Sequence, residues 1–390
     1  MTAPSRTHQA APGPGRARLL TGFLIAVVVF VVVLLWAKWL PYTAKVVGLN
    51  ESHTWSGSSI LGVGGVQPGE APSWHAATSF LVAYLVAVWK ALVAALLISA
   101  ALQALIPRDW LVRALDRGGR WSGAVAGGLL STPSMMCTCC TAPVAVSLRR
   151  SGASTAATVA YWLGNPLLNP AVVVFLLLVA PWQWTVVRVV VGVVTVVAGA
   201  VLVSHLADRR RTAAVGAPGA SGHGQPGGVA VVSGQTQPVG VPVASAPSEP
   251  AAPKDVALRF LRTLARMTLV LVPEYLLVVL LIGAFRGWML PLTQDAVGHG
   301  TPTVVAATVI AAILGTLFVI PTAGEIPIIQ GLAVLGLPAG VLGALLITLP
   351  AISLPSMAMV GRAFGWRLTA ATTGLVVLAG LLGGVLLAVL

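Results

Sequence analysis

The sequence predicts an all-α polytopic membrane protein, built as an inverted-topology repeat with two broken, re-entrant helical hairpins. Of the 390 residues, 57% are hydrophobic and only 8% are charged, whereas a soluble domain carries about a quarter charged residues. Proline and glycine residues also recur at one fixed offset in the two halves. Five apolar runs approach the roughly 20 residues that cross a bilayer, namely residues 19–36, 80–106, 153–180, 184–203 and 368–390.

The first apolar run follows a basic N-terminal segment. Arg6, Arg16 and Arg18 place the N-terminus in the cytoplasm, because lysine and arginine stay on the inner side of a cell membrane. The run is longer than the core of a typical signal peptide and ends near Lys38 and Pro41, so a retained first helix is predicted. The net charge of +13 comes largely from such loop residues and indicates topology, not binding to nucleic acid.

The basic loops divide the chain into five predicted segments. Residues 212–253 consist of Gly, Pro, Ala, Ser, Val and Gln without periodicity, which is typical of a disordered linker. The segments are a cytoplasmic N-terminus with an extra first transmembrane helix (1–40), an extracytoplasmic loop (41–75), a first repeat half (76–206), a disordered cytoplasmic linker (207–255) and a second, inverted repeat half (256–390).

Two further segments are predicted to enter the membrane and turn back. Residues 121–148 lie between an arginine-rich loop and the pair Arg149 and Arg150, so both ends face the cytoplasm. Each arm has about ten residues, or about 15 Å of helix, which is half a bilayer. A second broken segment, residues 303–337, is interrupted by "PTAGEIP" and is expected to enter from the outside.

Four pairs of helix-breaking residues share one constant offset in the sequence, here called the repeat offset. Three full crossings separate the two predicted hairpins, so the halves are expected to be inverted relative to each other. This is the plan of inverted-repeat transporters, whose broken helices meet near the membrane midplane to form the substrate site. The pairs are Pro107 and Pro291, Pro143 and Pro327, Gly152 and Gly336, and Pro166 and Pro350.

All three cysteines of the chain lie at the tip of the first hairpin, in "CTCC". Cys137, Cys139 and Cys140 have no distant partners, so they do not form a disulfide framework. Thiolates are soft ligands for ions such as Cu(I), Zn(II) or trivalent arsenic. The alternative is that cysteine serves as a small apolar residue where helices pack closely. No zinc-finger spacing is present, so neither a permanent metal nor another cofactor is expected.

Four other polar residues are candidates for the substrate site. Asn165 and Asn169 lie in "GNPLLNP", and Ser353 lies in the corresponding "PAISLP". Their side chains either line a polar cavity or satisfy the backbone that the prolines leave unpaired. Glu325, at the second tip, either binds a proton or a cation or caps a strained loop.

Two charged residues related by the repeat offset are candidates for ion coupling together with Glu325. Lys90 and Glu274 are both predicted near the middle of their spans, and they either pair with each other or leave Glu274 as a proton carrier. Arg188, one turn into its span, is expected to extend toward the membrane surface. The chain has no phosphate-binding loop for ATP hydrolysis, so we expect a transporter and not an enzyme.

The segment "CTCCTAPVAVSLRRSGASTAATVAYWLGNPLLNP" resembles the ArsP-type predicted permeases, a family that includes trivalent organoarsenical efflux permeases. Residues 326–340 and 350–365 resemble its second half. The resemblance implies that Cys137 and Cys139 match the Cys-x-Cys motif of the family, and that a proline, two arginines and a glycine match the turn after it. Cys140 departs from the family pattern and adds a third sulfur. The matching turn residues are Pro143, Arg149, Arg150 and Gly152.

Residue chemistry and resemblance together predict a multi-pass permease of the plasma or inner membrane. It is expected to export a soft, thiol-reactive solute such as trivalent arsenic or an organoarsenical through a cysteine-lined midplane site. Its expected partners are the lipid bilayer, the small thiophilic solute and a coupling proton or ion. Whether the chain forms a homo-oligomer is left open. Two alternatives remain: a permease for an unrelated solute with structural cysteines, and a membrane thiol redox or sensor protein.

Overall fold

A computed structural model describes residues 16–55, 60–67, 69–105, 118–215, 253–289 and 301–390, and in these ranges the regular structure is entirely helical. Six helices there are long and apolar enough to cross a membrane, and one bent pair makes a seventh candidate. This confirms the predicted all-α polytopic fold. The α-helices are α1 (Arg16–Leu34), α2 (Leu40–Ser52), α3 (Trp74–Leu105), α4 (Gly119–Ser131), α5 (Thr138–Arg150), α6 (Thr155–Leu167), α7 (Pro170–Val179), α8 (Trp182–Val194), α9 (Ala200–Val215), α10 (Pro253–Met289), α11 (Thr301–Gly315), α12 (Glu325–Val334), α13 (Ala339–Ala351), α14 (Leu354–Phe364) and α15 (Trp366–Val389).

The first helix is longer than the sequence indicated. A π-helical turn, Leu35–Trp39, joins α1 to α2, and the candidate span covers Thr21–Ser52. The predicted end at residue 40 therefore falls inside the helix, because Pro41 lies at the start of α2, where its missing N–H group is tolerated. The wide turn is closed by the Leu40 N–H, which donates to the Leu35 carbonyl. Likewise α9 continues to Val215, beyond the predicted boundary at residue 206.

The helix bounds follow the repeat offset seen in the sequence. Helices α6 and α13 are related by this offset at both ends, and α7 and α14 are related by it at their first residues. Gly152 and Gly336 both have positive φ angles, 95° and 82°, in the equivalent turns. Equivalent helices also pack against each other, as α3 does with α10 and α6 with α13. The pair Pro107 and Pro291 lies outside the described residues.

Two breaks each separate a pair of short helices. Residues 132–137, here called the first tip, separate α4 from α5, and residues 316–324, the second tip, separate α11 from α12. The four flanking helices have 10 to 15 residues each, or about 15–23 Å, too short for any one of them to cross a bilayer. Met135 in the first tip and Ala323 in the second have φ angles of 48° and 67°, in the left-handed region.

A close helix approach holds the first tip against α6. A Cβ atom on Gly127 would lie 2.1 Å from the Ala157 carbonyl oxygen, and one on Gly164 would lie 2.3 Å from Ser131 Oγ. Small residues allow such contact between membrane helices. As a result, the first tip lies directly beside the Asn-Pro steps that end α6.

Candidate substrate site: a buried cluster of three cysteines

The three cysteines form one compact cluster at the start of α5. Cys137 is the residue that precedes the helix, and Cys139 and Cys140 lie in its first turn. The Sγ atom of Cys137 lies 3.0 Å from that of Cys139 and 3.2 Å from that of Cys140. All three sulfurs lie within 4.8 Å of one another, are buried and form no disulfide. The structure thus brings the three cysteine side chains together at one point.

Two tyrosines from equivalent helices contact the cluster. The Oη atom of Tyr84 on α3 lies 3.2 Å from Cys139 Sγ, and Tyr275 on α10 donates to the same sulfur at 3.6 Å. Tyr84 also donates to the carbonyl of Ile320 in the second tip, at 3.5 Å. The cluster is therefore linked through Tyr84 to the other half of the molecule.

The side chains of the two asparagines and of Ser356 support the backbone around the site. Asn165 Oδ1 accepts from the Ser134 hydroxyl and, at 3.1 Å, from the Met136 N–H, so it holds the first tip. Asn169 caps α7: its Oδ1 accepts from the N–H groups of residues 171 and 172 at 3.1 and 3.4 Å. Ser353, at the equivalent position, begins α14, and its N–H donates to Ser356 Oγ at 3.1 Å. For the two asparagines these contacts are those of backbone support, one of the two roles that the sequence left open, whereas at Ser353 the supporting side chain is that of Ser356.

A small cavity joins the two tips. The space inside it that the centre of a water molecule can reach is about 10 Å³, which is room for about one water. Both tips and both proline breaks contribute to the wall, but neither Asn169 nor Ser353 does. The residues that line it are Met136, Cys137, Pro166, Val172, Ile320, Pro321, Thr322, Ala323, Glu325 and Pro350.

Glu325 forms a buried ion pair with Arg188. Arg188 Nη2 lies 3.0 Å from Glu325 Oε1, and both side chains are almost fully buried. The expectation that Arg188 extends to the membrane surface is therefore wrong. The sequence did contain a signal for this: prolines in two helices leave backbone carbonyls without a donor, and an arginine inside a span can donate to them.

The proline breaks explain why Arg188 is buried. Its guanidinium donates to the carbonyls of Pro166 and Leu346, each at 2.7 Å, and to that of Leu167 at 2.9 Å. In a continuous helix, the carbonyls of residues 166 and 346 would accept from the N–H groups four residues later. Those residues are Pro170 and Pro350, which have none. Arg188 therefore satisfies the two orphaned carbonyls and the Glu325 carboxylate together.

Lys38 was not predicted to reach the site. Its side chain is 6% exposed, and its Nζ atom donates to Tyr42 Oη at 2.9 Å and to Thr322 Oγ1 at 3.1 Å. It also lies close enough to Cys137 and Cys140 to interact electrostatically with both. The chain has only four tyrosines, and in the structure all of them lie around this region. Tyr161, the fourth, contacts Ser134 and Asn165.

The predicted pair of Lys90 and Glu274 is not part of this cavity as far as the structure describes it. Lys90 is half-buried, and its Nζ atom lies 5.9 Å from the ring centre of Trp36 and 5.8 Å from that of Trp89. Both tryptophans are exposed on the outer surface of the helices. The side chain of Glu274 lies outside the described residues, so the pairing stays a prediction.

Comparison with known proteins identifies the family. The ArsP_1 family model, described as a predicted permease, matches residues 73–389. The chain is 38% identical over 351 residues to the UPF0718 protein YraQ of Escherichia coli (strain K12), an alignment that covers 90% of each chain. No solved structure matches the chain. The protein is therefore a multi-pass membrane protein that belongs to the ArsP_1 family of predicted permeases.

Proposed function

We propose that this permease exports a soft, thiol-reactive solute, such as trivalent arsenic or an organoarsenical, by binding it to the cysteine cluster. The observation that carries the proposal is the burial of three thiols within 4.8 Å of one another. Soft thiolates favour soft ions and metalloids over hard cations. A packing role alone does not require three neighbouring sulfurs beside two tyrosine hydroxyl groups.

The binding step needs no oxidant or reductant. When a monosubstituted arsenic(III) dihydroxide meets two thiols, two As–S bonds form and two As–O bonds break. The two thiol protons leave with the two hydroxide groups as water. Cys137 and Cys139, with sulfurs 3.0 Å apart, suit such a two-sulfur complex. Cys140 provides the third sulfur that an arsenic atom with three exchangeable ligands would use.

Release on the other side of the membrane is the reverse exchange. Cys137 lines the same cavity as Thr322 and Glu325 of the opposite repeat, so movement of either tip changes which side the bound solute can reach. The ion pair of Glu325 with Arg188 makes Glu325 our first candidate for ion coupling, with Glu274 and Lys90 as the other two. The N-terminus is proposed to be cytoplasmic, so solute enters from the cytoplasm.

The test is protection and efflux in an arsenic-sensitive host. Cells that express the protein are exposed to trivalent methylarsenic and, separately, to inorganic arsenite, and inverted membrane vesicles are assayed for arsenic uptake. The variants are Cys137→Ser, Cys139→Ser and Cys140→Ser. Met136→Leu is the matched control, because Met136 is buried beside the cluster and lines the cavity but offers no thiol.

Each outcome separates the candidate functions. We expect protection to fall at least tenfold for Cys137→Ser or Cys139→Ser at equal membrane expression, and to persist for Met136→Leu. Cys140→Ser is expected to affect inorganic arsenite more than methylarsenic. Protection that survives all three serine variants would contradict the proposal and favour structural cysteines. Absence of protection and of vesicle uptake by the intact protein would remove arsenic as the substrate and leave a permease for another solute.

A further inference from the structure

Two consecutive residues of the first helix contact both tips. Trp39 Nε1 donates to the Pro133 carbonyl in the first tip at 2.7 Å, and Lys38 Nζ donates to Thr322 Oγ1 in the second tip at 3.1 Å. The family match begins at residue 73, so this helix lies outside the segment that the family model covers. It nevertheless supplies two polar contacts to the site.

The π-helical turn places these residues. A π turn holds one more residue per turn than an α-helix and often occurs at functional sites. Here Leu35–Trp39 forms the turn immediately before Pro41, and within this turn Lys38 is buried. The stretch around Lys38 and Pro41 looked like the end of a membrane span in the sequence. In the structure, the π turn in this stretch brings Lys38 to the site.

Lys38 leaves the site with an unbalanced positive charge. In the part of the chain that the structure describes, no carboxylate pairs with Lys38, and its hydrogen-bond partners are hydroxyl groups. The other two charges nearby, Arg188 and Glu325, neutralise each other. A buried cation without a counter-charge is costly, and the thiol groups of Cys137 and Cys140 lie within its electrostatic reach.

On the basis of the proposed function, we propose that Lys38 is a positioning and specificity residue of the substrate site. Its ammonium group is held by Thr322 of the second tip and places a fixed positive charge beside the cysteine sulfurs. A soft metal cation such as Cd²⁺ is repelled by this charge, whereas an uncharged arsenic(III) compound is not. The first helix therefore selects neutral thiol-reactive solutes over soft metal cations.

The test compares two thiol-binding probes on the same protein in membrane vesicles. Phenylarsine oxide is an uncharged trivalent arsenic compound, and Cd²⁺ is a soft cation. For each probe, the concentration that half-protects the three cysteines from alkylation by N-ethylmaleimide is measured. The reported quantity is the ratio of these two concentrations, which cancels differences in the amount of folded protein between variants.

Lys38→Gln removes the charge, and Lys45→Gln is the matched control. Lys45 lies on the same helix, where its Nζ atom sits 3.5 Å from the ring centre of Trp55. We expect Lys38→Gln to lower the half-protecting Cd²⁺ concentration relative to that of phenylarsine oxide by at least tenfold, because the repulsion from one nearby charge inside a protein exceeds that factor. Lys45→Gln and the charge-preserving Lys38→Arg are expected to keep the original ratio.

The outcomes distinguish this inference from the proposed function. A ratio unchanged in Lys38→Gln, or changed equally in Lys45→Gln, would overturn the role of Lys38 while protection by phenylarsine oxide still supports the cysteine site. If phenylarsine oxide does not protect the cysteines of the intact protein at all, the proposed function fails and the selectivity inference fails with it.

Discussion

The two tips occupy equivalent places in the repeat but carry different chemistry. The first tip leads into three thiols and is held by neutral hydrogen bonds that Asn165 Oδ1 accepts from the Ser134 hydroxyl and the Met136 N–H. The second tip leads into Glu325 and is held by an ion pair with Arg188. At the position that the repeat offset relates to Glu325, the first half has Thr141. The Thr141 hydroxyl only donates to the Cys137 carbonyl, at 2.8 Å.

This difference shows how a duplicated scaffold can hold an asymmetric site. The repeat determines where the helices break and therefore where side chains and unpaired backbone groups meet. The individual residues at the breaks then decide whether a tip carries thiols and neutral hydrogen bonds or is anchored by charge. Removing these anchors one at a time tests the comparison, beginning with the anchor whose loss is expected to cost the most.

The largest effect is expected from Arg188→Met. The substitution leaves the Glu325 carboxylate buried without a partner and leaves the carbonyls of Pro166 and Leu346 without their donor. Breaking a buried pair in this way costs about 3–5 kcal/mol. The measurement is thermal unfolding in detergent together with the yield of monodisperse protein.

The matched control for that variant is Arg120→Gln. Arg120 pairs with Asp208 at 2.9 Å, but the two side chains are 47% and 45% exposed, so the loss should stay within about 1 kcal/mol. The double variant Arg188→Met with Glu325→Met should recover part of the stability that Arg188→Met alone loses, because the Glu325 carboxylate is then no longer buried without its partner. Equal stability of Arg188→Met and Arg120→Gln would show that the pair does not anchor the second tip.

An intermediate effect is expected from Asn165→Leu, which introduces the residue found at the equivalent position, Leu349. The Met136 N–H loses its acceptor inside the protein, at a cost of about 1–3 kcal/mol. The first tip should loosen, so alkylation of the cysteines by N-ethylmaleimide should become faster while the melting temperature falls. Met136→Leu keeps this hydrogen bond and should change neither quantity, and an unchanged alkylation rate in Asn165→Leu would contradict the assigned anchor.

The smallest effect is expected at the cap of α7. Asn169→Ala removes the acceptor for two N–H groups at the start of the helix, which should cost about 1 kcal/mol. Asn169→Ser introduces the residue that the second half carries at Ser353 and should restore most of that loss, since serine is also a good N-cap. The melting temperatures of the two variants are compared. An alanine variant as stable as the serine variant would mean that capping at Asn169 is dispensable.

The fold was largely predictable because its signals are local. Hydropathy identified the membrane helices, and prolines and glycines at a constant offset indicated equivalent turns and helix ends, such as the turns at Gly152 and Gly336. The cysteines were found for the same reason, since all three lie within four positions of the sequence. The interpretation went wrong at Pro41, where a π turn accommodates a proline that usually ends a helix.

The partners of the buried charges could not be predicted in the same way. Arg188 meets Glu325 across 137 positions of the chain, and Lys38 meets Thr322 across 284. Hydropathy gives the depth of a residue in the membrane but not the neighbour that it faces. A charged residue inside an apolar run is therefore better interpreted together with the backbone carbonyls that prolines leave free elsewhere in the chain.

The left-handed residues of the two tips have a consequence for the energetics of opening. Met135 and Ala323 adopt φ angles of 48° and 67°, and such a conformation costs a residue other than glycine roughly 1–2 kcal/mol. The two residues are not repeat equivalents, so the closed state is strained at a different point in each half. When a tip unfolds from its contacts, its residue can return to a relaxed conformation. Each tip is thus raised in free energy by its own contacts, and a conformational change that releases those contacts would recover that strain.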